Sequence, residues 1–209
     1  MIYWKLRRHM NNNDKTWDKN LGIRTTGRDD SRSTPFYFPY EPTDYCVLER
    51  LANYGYIKKR DLLLDYGCGK GRVSFFLAYQ TGCKTIGIEY DERLIDRALR
   101  NQKRALSGNR TRFVHQNALD FQVPVEANRA FFFNPFSKAI LEQVIGHIVD
   151  SYDQSPRDIK LFFYYPSPDY EDLLNGHERL EEVDEVPCFD LFEETNARER
   201  ILVYRVLEW

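Results

Sequence analysis

Four cysteines, two methionines and four histidines are all that 209 residues hold of the softer metal-binding and redox-active side chains. Cys46, Cys68, Cys83 and Cys188 are scattered, with no Cys-x-x-Cys pair, so neither a zinc knuckle nor a disulfide framework is expected. Long apolar runs are missing too. Runs such as Phe131-Phe132-Phe133 fall far short of the roughly 20 residues of a membrane span. The opening Met1-Ile2-Tyr3-Trp4-Lys5-Leu6-Arg7-Arg8 lacks an apolar signal region, so a cytoplasmic protein with no membrane partner is expected. An excess of one charge is also missing. The formal net charge is −2, and 42% of the residues are hydrophobic, which excludes a disordered chain.

The charge is nevertheless uneven. Residues 1–40 carry eight Lys/Arg against four Asp/Glu, whereas residues 169–209 carry four against thirteen. The basic arm could meet an acidic partner such as RNA, or lie against the acidic end of its own chain. No stretch of the sequence is a dense Lys/Arg cluster.

Residues 1–34 are polar, broken by Gly22 and Gly27, and show no sustained period, so they are expected to order only by packing on the body or a ligand. The arm is placed at 1–39, partly extended, and a single domain at 40–209. Thr43 is a plausible N-cap for a helix with Val47, Leu48, Leu51 and Tyr54 at helical spacing, ending near Gly55. Apolar strands are then expected at Leu62–Leu64, Thr85–Ile88, Arg112–Val114, Phe131–Phe133 and Ile159–Tyr165. Helices intervene, marked by Val73, Phe76, Leu77 and Gln80; by Leu94, Ile95, Ala98 and Leu99; and by Ile140, Val144, Ile145 and Ile148. Strands apolar throughout, alternating with helices, predict a parallel sheet covered on both faces. Val183–Phe192 and Ile201–Leu207, joined by Glu193–Arg200, predict a terminal antiparallel pair.

The most informative segment is Leu62-Leu63-Leu64-Asp65-Tyr66-Gly67-Cys68-Gly69-Lys70-Gly71-Arg72. A buried strand meets Gly67, Gly69 and Gly71 and then a helix, so the backbone can turn sharply and a ligand can approach it closely. A dinucleotide site, as in a nicotinamide-dependent dehydrogenase, would space its glycines G-x-G-x-x-G, and here the third comes one residue early. Asp65 would repel a pyrophosphate but attract an ammonium. The loop therefore suits a nucleoside that carries an amino acid, which is the shape of S-adenosyl-L-methionine. Glu89 ends the second strand, where a carboxylate can accept from ribose hydroxyls. Asn117 and its neighbours end the third with groups able to bond adenine.

Taken together, these three loops resemble the class I S-adenosylmethionine-dependent methyltransferases over residues 40 to 209. The resemblance implies a Rossmann-like, mostly parallel seven-stranded sheet with helices on both faces. It implies that Asp65, Gly67 and Gly69 cradle the methionine part, that Glu89 binds ribose, that Tyr90 flanks adenine, and that Asn117 and Ala118 meet its edge. Asn117 stands where the family usually has Asp, and an amide can still accept there. S-adenosyl-L-homocysteine would be the product. Phe133-Asn134-Pro135-Phe136 resembles the Asn-Pro-Pro-aromatic motif of amino-group methyltransferases, with the second proline missing. That favours an amine acceptor, with Asn134 accepting from the amine and Phe136 stacking on a planar substrate. Tyr40-Glu41-Pro42-Thr43, together with the aromatic fourth strand, distantly resembles small bacterial methyltransferases and, separately, mitochondrial-type lysine methyltransferases, without indicating a substrate.

Plainer readings stand beside these. Asn134-Pro135 would serve simply to break the chain between strand and helix. Asn117 would serve as a turn residue, and His115 and His147 as packing residues. Cys68 is expected to be unreactive. A non-catalytic module that binds the nucleoside, as a sensor or partner subunit, leaves the same motifs. The methyl acceptor stays open among small molecule, protein and RNA.

Overall fold

In the computed structural model, residues 11–193 and 196–208 are described. Helix α1 is Asn11–Leu21 and α2 Tyr45–Asn53. There follow β1 Leu62–Tyr66, α3 Arg72–Thr81, β2 Lys84–Glu89, α4 Glu92–Gln102 and β3 Thr111–His115. The second half runs β4 Arg129–Phe132, α5 Lys138–Gln154, β5 Lys160–Tyr164, α6 Pro168–Asn175, β6 Leu180–Pro187 and β7 Arg200–Val206. The strands form one seven-stranded sheet in the order β3-β2-β1-β4-β5-β7-β6, with β7 antiparallel to both neighbours and the others parallel.

Side chains alternate across a strand, and here both sets are apolar. Leu64, Phe132, Phe163 and Leu202 pack on α5 and α6, while Leu63, Phe131, Phe162 and Val203 pack on α2 and α3. A continuous apolar run in the sequence is thus the mark of a strand with a core on each face. Helix α3 is covered nearly all round, with Arg72 through Ala78 buried.

Several boundaries differ from the sequence expectation. Strand β4 begins at Arg129, two residues early, and leaves Phe133 in the loop. Asp44, not Thr43, precedes α2 as its cap; Thr43 is buried and its carbonyl accepts from Arg72. Strand β6 is Leu180–Pro187 instead of 183–192. It lies at the sheet edge with mostly acidic, exposed positions, and the apolar Phe189–Leu191 forms a short 3-10 turn. Helices α1 and α6 were not foreseen. Trp17 of α1 meets the Phe76 ring edge-on at 5.0 Å, and its Nε1 donates to Glu49 at 2.7 Å. Among the described residues no helix is long and apolar enough to cross a membrane.

Candidate active site

The connections from β1 and β4 lead to opposite sides of the sheet, and where they part a cleft opens beyond the strands' carboxyl ends. It holds a cavity of about 410 Å³, the size of an ordinary small-molecule site, roughly 300–1,000 Å³. Asp65 and Gly67 line it after β1, Glu89 and Tyr90 after β2, and Gln116 and Ala118 after β3. Phe133, Pro135 and Phe136 line it after β4, and residues between 29 and 43 form the remaining wall.

The glycine turn is shaped from two sides. Gly67 sits at φ 71°, and a Cβ there would lie 2.4 Å from that of Pro135, so any side chain would collide with the opposite wall. Gly71, the N-cap of α3 at φ 88°, faces away from the cavity; a Cβ would come within 2.9 Å of the Phe75 and Phe113 rings. Its constraint is therefore packing of helix on sheet. Gly69 is likewise off the cavity wall, under the ring of Tyr40. Tyr40 is anchored by a 2.7 Å hydrogen bond from its hydroxyl to the Thr25 carbonyl.

Asp65 is 2% exposed. Its Oδ2 accepts from Ser74 N at 3.1 Å and Ser74 Oγ at 2.7 Å, while Oδ1 accepts no hydrogen bond among the described residues. Burial pushes its carboxyl up to about 7, the Glu89 charge adds to that, and the Ser74 bonds oppose it. A desolvated carboxylate with one free oxygen is a receptor for a cation. Glu89 spans the mouth of the turn: Oε2 accepts from Gly69 N at 2.8 Å and Oε1 from Asp91 N at 2.9 Å. Each oxygen keeps a lone pair for a hydroxyl donor. Burial raises its pKa, against three backbone donors that lower it. Cys68 is buried on the wall, with its thiol pushed well above the ordinary range by desolvation.

Tyr90 is 56% exposed, and one face of its ring is already covered by Tyr37, 4.9 Å away and nearly parallel at 9°. His115 is exposed, and its Nε2 hydrogen-bonds the Tyr90 carbonyl at 3.0 Å. Asn117 is off the cavity wall. Its Oδ1 accepts from Leu119 N at 3.1 Å and caps the turn Ala118–Asp120, so Gln116 and Ala118 face the cavity in its place.

Two expectations about the fourth loop are corrected. The Asn134 amide does not line the cavity: Nδ2 donates to Tyr165 O at 2.7 Å and Oδ1 accepts from Ser167 N at 3.2 Å, tying this loop to the one after β5. An amide tied at both ends and off the cavity wall does not face an attacking amine, and the preference for an amine acceptor loses its residue. Phe136 is 2% exposed, edge-on to Tyr66 and Phe132. It is part of the floor and not a stacking platform. Asn134 also sits at φ 40°, where a β-carbon is strained. Asn134→Ala should therefore lower the melting temperature by several degrees, through roughly 1–3 kcal/mol of lost bonds. Asn134→Gly should lose less, because it relieves the backbone. Equal melting of the alanine variant and the wild type would remove this structural role.

A family model described as a methyltransferase domain matches residues 57–155. Just under half of the chain is thus similar to a methyltransferase domain. The match covers the span in which the glycine turn, Asp65 and Glu89 lie. A histone-lysine N-methyltransferase specific for H3 lysine 79 from Dictyostelium discoideum is 42% identical over 66 residues, 32% of this chain and 3% of that protein. A protein-lysine N-methyltransferase of Saccharolobus islandicus (strain REY15A) is 31% identical over 74 residues, 34% of this chain and 46% of that one. The chain thus spans less than half the length of these relatives. Among solved structures, an RNA methyltransferase from Salinibacter ruber in complex with S-adenosyl-L-homocysteine superposes with a TM-score of 0.59. It has 18% identity and covers 81% of this chain and 95% of that one.

Proposed function

We propose that the protein binds S-adenosylmethionine in this cavity and catalyses transfer of its methyl group, leaving S-adenosylhomocysteine. The observation that carries the reading is Asp65: a buried carboxylate with one free oxygen, which would repel a pyrophosphate and attract an ammonium, matched by Glu89 one strand away. The donor set fits the group. Asp65 would hold an ammonium, Glu89 would accept from ribose hydroxyls, and Ala118 with Gln116 would meet the base. Tyr90 would lie against one side of the base, its other face being held by Tyr37.

When bound, the cofactor supplies a methyl group on a positively charged sulfur, which an acceptor lone pair displaces to leave a neutral thioether. What the chain contributes is position. The buried floor of Tyr66 and Phe136 and the wall formed by the arm exclude water, and the tied loop after β4 fixes the acceptor side. The acceptors named for the relatives, protein lysine and RNA, differ, so they do not choose one for this chain.

A thermal-shift titration tests the site. S-adenosylhomocysteine at 100 times its dissociation constant should add about 2.7 kcal/mol, a rise of roughly 5–10 °C for this length. Nicotinamide dinucleotides should give none. No shift with the homocysteine product would end the proposal. A shift without product from any labelled-donor acceptor screen would leave a binding module.

A further inference from the structure

The fold assembles a basic surface that no stretch of the sequence contains. Arg93, Arg97 and Arg100 recur along one ridge of α4, and Arg104 follows in the next turn, over about 16 Å. The arm lies along this ridge. Arg24 N donates to Asn101 Oδ1 at 3.0 Å, the Arg24 carbonyl accepts from Asn101 Nδ2 at 3.1 Å, and Arg93 Nη1 donates to Ser31 Oγ at 2.7 Å. Arg24, Arg28 and Arg32 are thereby laid beside the helix.

Some of these charges are spent within the chain: Arg28 on Asp30 and Glu41, and Arg93 on Asp91 and Asp29. Arg24, Arg32, Arg97, Arg100, Lys103 and Arg104 are exposed and form no ion pair among the described residues. Arg97 bears on both Asp29 and Lys70, so its charge reaches the arm and the glycine turn together. The ridge leads to the cavity, whose wall includes Arg32 and Asp91. Two rings of that wall stand in solvent, Phe38 41% exposed and Tyr90 56%, and Phe36, 60% exposed, lies two residues before Phe38. Exposed acids gather at the other edge of the sheet, on β6, in Glu181, Glu182 and Glu185.

Unneutralised arginines in a row match a chain of phosphates, which the planar guanidinium can grip bidentately. Exposed rings beside them match unpaired bases, whose faces stack on aromatic side chains. A duplex keeps its bases inside and gives the rings nothing to hold. An acidic peptide would use the cations alone, and a lysine-rich peptide would be repelled. We infer that this face docks single-stranded RNA and presents it to the cavity, making RNA the class of methyl acceptor. This rests on the methyl-transfer reading above. It puts Phe36 and Phe38, and not Phe136, under the incoming base.

Fluorescence anisotropy of a labelled, mixed-sequence single-stranded RNA of about 12 nucleotides, with the full chain and S-adenosylhomocysteine, decides it. Binding should weaken steeply from 50 to 200 mM salt, with a slope of about −0.7 per phosphate contacted. R97Q/R100Q should weaken it at least tenfold and make the slope shallower by about 1.4. F36A/F38A should weaken it with the slope unchanged, and E181Q/E185Q on the acidic edge should change neither. Equal binding by R97Q/R100Q, or a duplex that competes as well as the single strand, overturns the inference. So does self-association at low salt that disappears in R97Q/R100Q while RNA fails to bind, which would assign the ridge to the acidic edge of a second copy. The thermal shift with S-adenosylhomocysteine should be the same in R97Q/R100Q. A wild-type protein that shows that shift but binds no RNA sinks this inference alone, whereas absence of the shift sinks the methyl-transfer reading first.

Discussion

Affinity for S-adenosylhomocysteine should rise about tenfold per pH unit from pH 5 to about 6.5 and level off above pH 7.5. The cause is Asp65. Burial lifts its carboxyl to about 7 in the cofactor-free fold, so at pH 6 the group holds a proton that an incoming ammonium must displace. Calorimetry in two buffers of different ionisation enthalpy should show close to one proton released at pH 6 and almost none at pH 8. The sign for stability runs the other way. The folded carboxyl binds its proton more tightly than the unfolded one, whose value is 3.8. Without ligand, this group therefore contributes a growing destabilisation as pH rises from about 4 to about 7, constant above that. Asp65→Asn can still accept from Ser74 N and Oγ and carries no buried charge. The free variant should melt at or above the wild-type temperature at pH 8, while its affinity falls by roughly 1–3 kcal/mol and loses the pH dependence. An unchanged dissociation constant in the folded variant would remove Asp65 from the site.

That this carboxylate was legible in the sequence follows from its position. Asp65 and Glu89 each end a run of apolar residues, and in a parallel sheet all strand ends point to one side, so strand order alone brings them together. The five parallel strands were legible for the same reason, since Leu62–Leu64 or Phe131–Phe133 is apolar at every position. What was hidden is held by tertiary contacts. Helix α1 has little apolar stripe, because Asp14 and Asp18 point inward to meet Arg72. Strand β6 buries only Leu180 and Val186 and so shows no period. Helix α6 did carry a signal, Ser167 capping the Tyr170 amide with Pro168 in the first turn, but few apolar residues follow it. The amides misled for a chemical reason. Asn117 and Asn134 sit where a ligand contact was expected, yet short amides readily bond nearby backbone and tolerate positive φ: Asn117 caps its own turn, and Asn134, at φ 40°, ties its loop to the one after β5. The basic surface was missed although Arg93, Arg97, Arg100, Lys103 and Arg104 fall within twelve residues, because Arg24 and Arg32 join them only when the arm folds back on α4.

Arg72→Met should cost about 3–5 kcal/mol, the price of stranding buried carboxylates, and lower the melting temperature by roughly 6–20 °C. Arg72 is 2% exposed at the start of α3, and the groups it bonds belong to the arm or to the segment that follows it. Its Nη1 donates to Asp14 Oδ2 at 2.9 Å and to the Thr43 carbonyl at 3.0 Å, and its Nε donates to Thr25 Oγ1 at 2.7 Å. Its guanidinium lies 4.4 Å from the centre of the Tyr45 ring. Asp18 completes the cluster, accepting from Thr25 N and Oγ1 and from the Tyr45 hydroxyl. With the cation gone, Asp14 and Asp18 remain in a site that water does not reach, and each must be protonated or pulled out. Adding Asp14→Asn and Asp18→Asn to Arg72→Met should therefore restore part of the loss, which simple removal of a bulky side chain would not allow. The arm should also come away before the sheet does. Trypsin should cut after Arg24 and Arg28 faster in the single variant than in the wild type at a temperature where both sheets are intact by circular dichroism. Because residues 29–43 wall the cavity and Tyr40 hangs on the Thr25 carbonyl, that release should weaken S-adenosylhomocysteine binding without any change to Asp65 or Glu89. A variant that melts within 2 °C of the wild type would mean the cluster is held by its apolar surroundings, with the charges balanced some other way.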